Sequence, residues 1–262
     1  MRLALFVPCY VDQLRPRIGF AALDLLRSAG CEVEVPGDVL CCGQPFHSAG
    51  EAESAQSLGH RFMTRFDRFD AIVVPSGSCV STLREHLAAN EEPAAAEVAA
   101  RTFELSEFLA ERWDSPSLTH PIPRRVGLHS SCHALRELRL GTPSETREPV
   151  RPDPAAMLLD RIPGIERIDL TRRDECCGFG GLFSVEEEAV SVRMGLDRLE
   201  DHAKGRAEIL TSTDISCLMH LEGLARRREQ SVEFLHLAEL LAASAFGEEW
   251  LAAHDEDTHG PR

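Results

Sequence analysis

Positive charge is scarce in this chain of 262 residues: 28 Lys and Arg stand against 43 Asp and Glu, a formal net charge of -15. That balance repels polyanions, so nucleic acid and anionic membrane surfaces are excluded as bulk electrostatic partners. Aromatic residues make up only 6%, which leaves little for stacking on bases. No stretch approaches the roughly 18 consecutive apolar residues of a membrane span. Met1 to Tyr10 holds one Arg and a short apolar run cut by Pro8, unlike a secretory leader. The expectation is a soluble, cytoplasmic protein. Also missing are a dinucleotide-type glycine loop followed by an acidic residue, a Walker A lysine and a legible nucleophile–base pair. Hydrophobic residues, at 43%, suffice for a real core, and the length suits one large domain or two small ones.

Cysteine is what the chain has in excess. Nine are present, at positions 9, 31, 41, 42, 79, 132, 176, 177 and 217. An odd number without an export signal argues for metal binding or redox work rather than a disulfide framework. Their order repeats. Cys41-Cys42-Gly43 recurs as Cys176-Cys177-Gly178, Cys9 is matched by Cys132, and Ser78-Cys79 by Ser216-Cys217. Cys31 has no counterpart and reads as a core residue. Between each doublet and its last cysteine, Ser48-x-x-Glu51 and Ser184-x-x-Glu187 read as capping boxes at the start of a helix. Gly59 and Gly195 follow each serine at the same distance. The chain is a duplication.

Each repeat alternates strands and helices. Strands are expected at 2–7, 32–35 and 71–74, with helices near 17–28, from the first capping box to about 69, and from Val80. The second half repeats the order, with a strand at 167–170. Segments 104–109 and 234–240 read as matching closing helices. Alternation of this kind gives right-handed crossovers and a mostly parallel sheet. The expected fold is therefore α/β: two half-domains related by a pseudo-twofold axis, each a mostly parallel sheet flanked by helices. Their limits fall at 1–118 and 119–253, with a Pro/Ser/Thr-rich break around 115–123 and a frayed polar tail at 254–262.

Ligands in parallel α/β sheets gather beyond the carboxyl ends of the strands. Cys9 and Cys79 stand just past two such ends, and Cys41 and Cys42 lie in a loop past a third. The same holds for Cys132, Cys217, Cys176 and Cys177. Two quartets of thiols are thus expected to converge, near a helix N-terminus whose partial positive charge favours thiolates. Gly43 and Gly178 allow close backbone approach or a positive φ. Four thiolates suit tetrahedral zinc or an iron–sulfur cluster. Adjacent cysteines fit a zinc knuckle poorly and reach different irons of a cluster more easily, yet zinc in one or both sites stays open. His47, His133 and His220 stand beside motif cysteines and can donate to sulfur or serve as ordinary surface residues. Arg172 and Arg173 can bind a carboxylate or pair with Asp174 and Glu175.

The doubled C…CCG…C pattern resembles the cysteine-rich CCG-domain proteins, which include the cysteine-rich components of heterodisulfide reductase and succinate:quinone reductase and the glycolate oxidase iron–sulfur subunit. It is most similar to the lactate utilization protein A family, through Cys41-Cys42-Gly43-Gln44-Pro45, Pro75-Ser76-Gly77-Ser78-Cys79, Cys176-Cys177-Gly178-Phe179-Gly180-Gly181 and Ser216-Cys217-Leu218-Met219-His220. The resemblance implies [4Fe–4S]-type centres and one subunit of a cytoplasmic three-protein complex that oxidises L-lactate to pyruvate. Its partners would be a ferredoxin-domain iron–sulfur protein and a further subunit. A ferredoxin-type cysteine run is missing here, so electrons would pass through a partner. The chain departs from the wider pattern where reductase-type domains end in C-x-x-C: Ser76 and Asp214 replace the first of those cysteines. The five-cysteine non-cubane cluster therefore does not carry over, and the two side chains are candidate oxygen ligands.

Overall fold

The computed structural model describes residues 1–38, 41–88, 93–112, 118–147 and 149–254. Among the described residues eight short strands form two sheets. The first contains β1 (Arg2–Leu5), β2 (Glu32–Glu34), β3 (Ala71–Val74) and β4 (Thr102–Glu104). The second contains β5 (Arg125–Leu128), β6 (Glu166–Arg167), β7 (Ile209–Ser212) and β8 (Glu233–His236). The strand orders are β2-β1-β3-β4 and β6-β5-β7-β8, the same topology twice. Every pairing is parallel, with Leu3 opposite Ala71 and Val126 opposite Ile209. Central strands are buried along their length, as Ala71–Val74 shows, because helices cover both faces of a parallel sheet. The edge strands β2 and β6 are short and largely exposed.

This order fixes where a site can form. The chain leaves β1 toward β2 on one side and leaves β3 toward β4 on the other, so the loops after β1 and β3 diverge and open a crevice at their carboxyl ends. Cys9 and Cys79 stand in the first turn of the helices that follow those two strands, Cys9–Leu14 and Gly77–Ala88, and Cys132 and Cys217 stand after β5 and β7.

Local expectations hold in part. The helix Pro16–Ser28 starts with Pro at its first turn and buries Ile18, Ala21, Ala22, Leu25 and Leu26 on one face, as its periodicity predicts. Segments 104–109 and 234–240 are corrected: each holds the end of a fourth strand that turns directly into a helix, Leu105–Arg112 or Leu237–Phe246. With no polar turn between strand and helix, the pattern reads as one element. The capping boxes are also corrected. Ser48 ends a short helix, Gln44–Ser48, and Ser184 lies inside another, Phe183–Glu186. The long helices Ala52–Phe66 and Glu188–Lys204 begin at Glu51 and Glu187 with no side-chain cap. Cys132 leads into five residues of π-helix, His133–Glu137, a local widening common at functional sites. The expected break at 115–123 falls partly, and the polar tail almost wholly, outside the described residues.

The halves interlock. Helix Pro16–Ser28 of the first packs on Leu237–Phe246 of the second, and Leu105–Arg112 of the first on Pro154–Leu159 of the second. One hydrophobic cluster runs through both sheets, including Leu3, Leu25 and Phe108 with Val126, Leu210 and Leu240. Ion pairs follow the same pseudo-symmetry: Arg17 meets Glu239 at 2.6 Å and Arg151 meets Glu107 at 3.3 Å.

Candidate functional site

The structure brings together all eight motif cysteines in two groups of four. Each group is a chain of thiol contacts. In the first, Cys9 is hydrogen-bonded to Cys41, Cys41 to Cys42, and Cys42 to Cys79, the last with sulfurs 3.3 Å apart. In the second the same chain runs Cys132, Cys176, Cys177, Cys217. All nine cysteines are free. Cys31 immediately precedes β2 at the opposite, amino-terminal ends of the strands, half-buried against the core.

One thiol in each group is prepared to ionise. Cys41 receives S–H bonds from Cys42 and Cys9 and an N–H bond from Gly43 at 3.4 Å, all of which pull its pKa far down. Cys176 is pulled down likewise by Cys132, Cys177 and the Gly178 N–H at 3.3 Å. The donors shift the other way: Cys9, Cys42, Cys132 and Cys177 are pushed up by those same bonds and by burial. Phe179 N–H adds a bond to Cys177 sulfur at 3.5 Å. The amides turn inward because Gly43 and Gly178 lie at φ 93° and 89°, the left-handed region open to glycine.

The two groups face one another. Tyr10, next to Cys9, meets Phe179 edge-on at 6.3 Å between ring centres. In the related position, His133, next to Cys132, lies 3.2 Å from the Gln44 amide that follows the first doublet. Between them Ser76 and Asp214 meet. Both Ser76 Oγ and Ser78 Oγ donate to Asp214 Oδ1 at 2.8 Å, and Ser78 N–H donates at 3.1 Å. The two candidate oxygen ligands thus engage one another: Asp214 leaves its own helix, Ile215–Arg227, without a side-chain cap and gives its carboxylate to the head of Gly77–Ala88 in the other half.

The second site has neighbours that the first lacks. His129 is 1% exposed, and one of its ring nitrogens and the sulfurs of Cys177 and Cys217 all lie within 4.8 Å of one another. Burial, and then the positive charge of Arg198, lowers the His129 pKa to about 3 and keeps the ring neutral. His129 has no cysteine beside it in sequence, which hid it; its signal was the repeat itself, where Phe6 occupies the matching position. His220 also faces this site, half-buried near Cys176, while His47 lies out beside His86 and Glu85. Arg172 pairs with Glu175 at 3.2 Å, the second of the two roles its sequence allowed. Arg173 lines an open cleft of about 330 Å³ next to the second site, together with Arg151, Arg167 and Ser130.

Comparison with known proteins agrees with this architecture. The family model "CCG: Cysteine-rich domain" matches twice, at residues 3–84 and 126–222. "Lactate utilization protein A" of Exiguobacterium sp. is 35% identical over 246 residues, covering 91% of this chain and 96% of that protein. The protein of the same name from Bacillus subtilis is 32% identical over 246 residues, covering 92% and 99%. A hypothetical protein from Helicobacter pylori shares the fold, with a TM-score of 0.67 at 11% identity. That match covers 97% of this chain but 51% of the other, so the chain spans about half the length of that structural neighbour.

Proposed function

Since the chain belongs to the CCG cysteine-rich domain family and, within it, to the lactate utilization protein A proteins, we propose that it is the iron–sulfur redox subunit of a multi-protein system oxidising L-lactate to pyruvate. The two repeats are read as residues 1–118 and 119–253. Cys9, Cys41, Cys42 and Cys79 would hold one centre; Cys132, Cys176, Cys177 and Cys217 the other. The observation that carries this reading is the convergence of each quartet into one chain of sulfur contacts.

The donor set fits the group. Each quartet gathers four sulfurs at the crevice, one member already favours the thiolate, and backbone N–H groups point at sulfur, as they do where protein dipoles stabilise a cluster's charge. A bound [4Fe–4S]-type cluster would supply one-electron chemistry. The chain's own residues orient the thiols, donate to them from Gly43, Gly178 and Phe179, and shield Cys42 and Cys177 from water.

A ferredoxin-domain iron–sulfur protein and a further subunit would complete the system. Exposed apolar side chains on the segments that follow the motif cysteines support docking of a partner there: Tyr10, Leu14 and Phe46 in one half, Leu182, Val185 and Val190 in the other. No helix among the described residues is long and apolar enough to cross a membrane. We read the protein as cytoplasmic, in keeping with its free thiols.

Anaerobic purification followed by iron, zinc and acid-labile sulfide determination tests the reading. Iron and sulfide with a visible band bleached by dithionite is the expected result. Zinc at about two per chain without sulfide would instead make this a zinc-binding scaffold subunit with no redox turnover.

A further inference from the structure

The repeat places different chemistry behind the two sulfur groups. Phe6, Phe62 and Phe66 lie behind the first, with Phe6 5.3 Å from Phe62 and 5.7 Å from Phe66 between ring centres. They share one apolar cluster with Cys42 and Cys79. The matching positions of the second half hold His129, Arg198 and His202. The match is structural as well as sequential: Phe6 N–H bonds Val73 C=O at 2.9 Å, and His129 N–H bonds Thr211 C=O at 2.7 Å, each extending its central ladder by one residue.

Packing alone does not call for this replacement, since the aromatic trio already fills the same space in the same fold. The polar trio is as buried as the aromatic one, none of it more than 2% exposed. Arg198 donates to His202 Nε2 at 3.2 Å and to the Arg172 carbonyl, and approaches Asp201 at 3.5 Å. Room is made for His202 at Gly127, where a Cβ would stand 2.2 Å from His202 Nδ1. Yet neither ring nitrogen of His129 has a hydrogen-bond partner. A buried imidazole left without partners, with a ring nitrogen within 4.8 Å of two sulfurs, has the placement of a ligand.

Resting on the metal-binding reading above, we propose that the second site is a mixed sulfur–nitrogen centre, in which the His129 imidazole joins Cys177 and Cys217 as a ligand of the metal centre, while the first site is all sulfur. The fixed charge of Arg198 behind His129 offsets the negative charge of the gathered thiolates. The two centres of one chain therefore differ in ligand type and in net charge, the two quantities through which a protein sets a metal centre's properties.

The test uses the full chain, freed of metal under anaerobic conditions and loaded with cobalt(II), read by cobalt X-ray absorption. Wild-type protein should show the outer-shell scattering of a coordinated imidazole. His129→Phe, which installs the first half's own residue, and His129→Gln should both lose it. One of the two cobalt sites should then weaken roughly tenfold or more. Phe6→Leu and His220→Gln should keep the signature. An all-sulfur spectrum from cobalt-loaded wild-type protein overturns the assignment of His129 alone. Absence of any cobalt binding overturns it together with the metal-binding reading.

Discussion

Gly178 holds the second cysteine doublet in a conformation that other residues adopt at a cost. At φ 89° any Cβ is strained, and here it would stand 2.5 Å from the Ser191 carbonyl oxygen. Gly178→Ala should lose about 1–2 kcal/mol to backbone strain and a further ~1–3 kcal/mol to overlap. Gly43→Ala, whose Cβ would meet nothing nearer than Ala55 O at 3.3 Å, should lose only the strain. Urea midpoints at unchanged m-value measure both, and equal losses would contradict the geometry. Among the cysteines the contrast is sharper. Cys177→Ser should remove about half of the bound metal, since one of two thiolate sets is broken. Cys31→Ser, at the far pole of the strands, should leave metal content intact, and a loss of iron there would show the repeat to be misaligned.

At the level of elements, the central joint is the exchange of a helix cap. Asp214 stands at the head of its own helix but gives its carboxylate to Ser76 and Ser78 at the head of the related one. A carboxylate at a helix N-terminus meets free N–H groups and the positive end of the helix dipole. Asp214→Ala would take the acceptor from two buried hydroxyls, which keep only their 3.2 Å bond to each other, and from the Ser78 amide, and should cost about 1–3 kcal/mol. Metal content of the folded variant should not change, because the carboxylate is already engaged by the serines. If metal leaves either site while stability is unaffected, Asp214 is a ligand after all.

The whole molecule should unfold as one cooperative unit, because its apolar cluster is common to both sheets. Residues 1–118 or 119–253 expressed alone should fail to give a cooperative thermal transition by circular dichroism; an isolated half that melts sharply would refute the shared core. Near the same interface Glu104 is 1% exposed, and burial, with Asp214 adding repulsion, raises its pKa from 4.5 to about 8. The folded state therefore keeps a proton that the unfolded chain gives up. The resulting stability is fully present below pH 4.5 and declines as pH rises toward 8, by at most about 1.4 kcal/mol per pH unit. Glu104→Gln has no proton to lose, so its stability relative to wild type should grow across that window. Parallel pH profiles of urea midpoints for the two proteins would contradict this.

The duplication, the parallel α/β class and the eight sulfur positions were legible in the chain because each rests on a local mark: a strand-like run, a doublet before glycine, an ordered recurrence. Cys9 and Cys79 could be paired in advance because parallel strands deliver loops to one pole. The fourth strands were not legible, since Thr102–Glu104 and Glu233–His236 run into helices with no turn residue between. Nor were the roles of Asp214 and His129. A carboxylate just before a helix reads as a cap for that helix or as an oxygen donor, and only the packing of one half on the other gives Asp214 the partners Ser76 and Ser78. His129 is one residue past a strand and three before Cys132, which says nothing about distance to Cys177 and Cys217. Local order in a chain specifies which groups reach the end of a sheet; which of them meet across the pseudo-twofold axis depends on contacts between segments more than a hundred residues apart, and those exist only once the two halves have closed on each other.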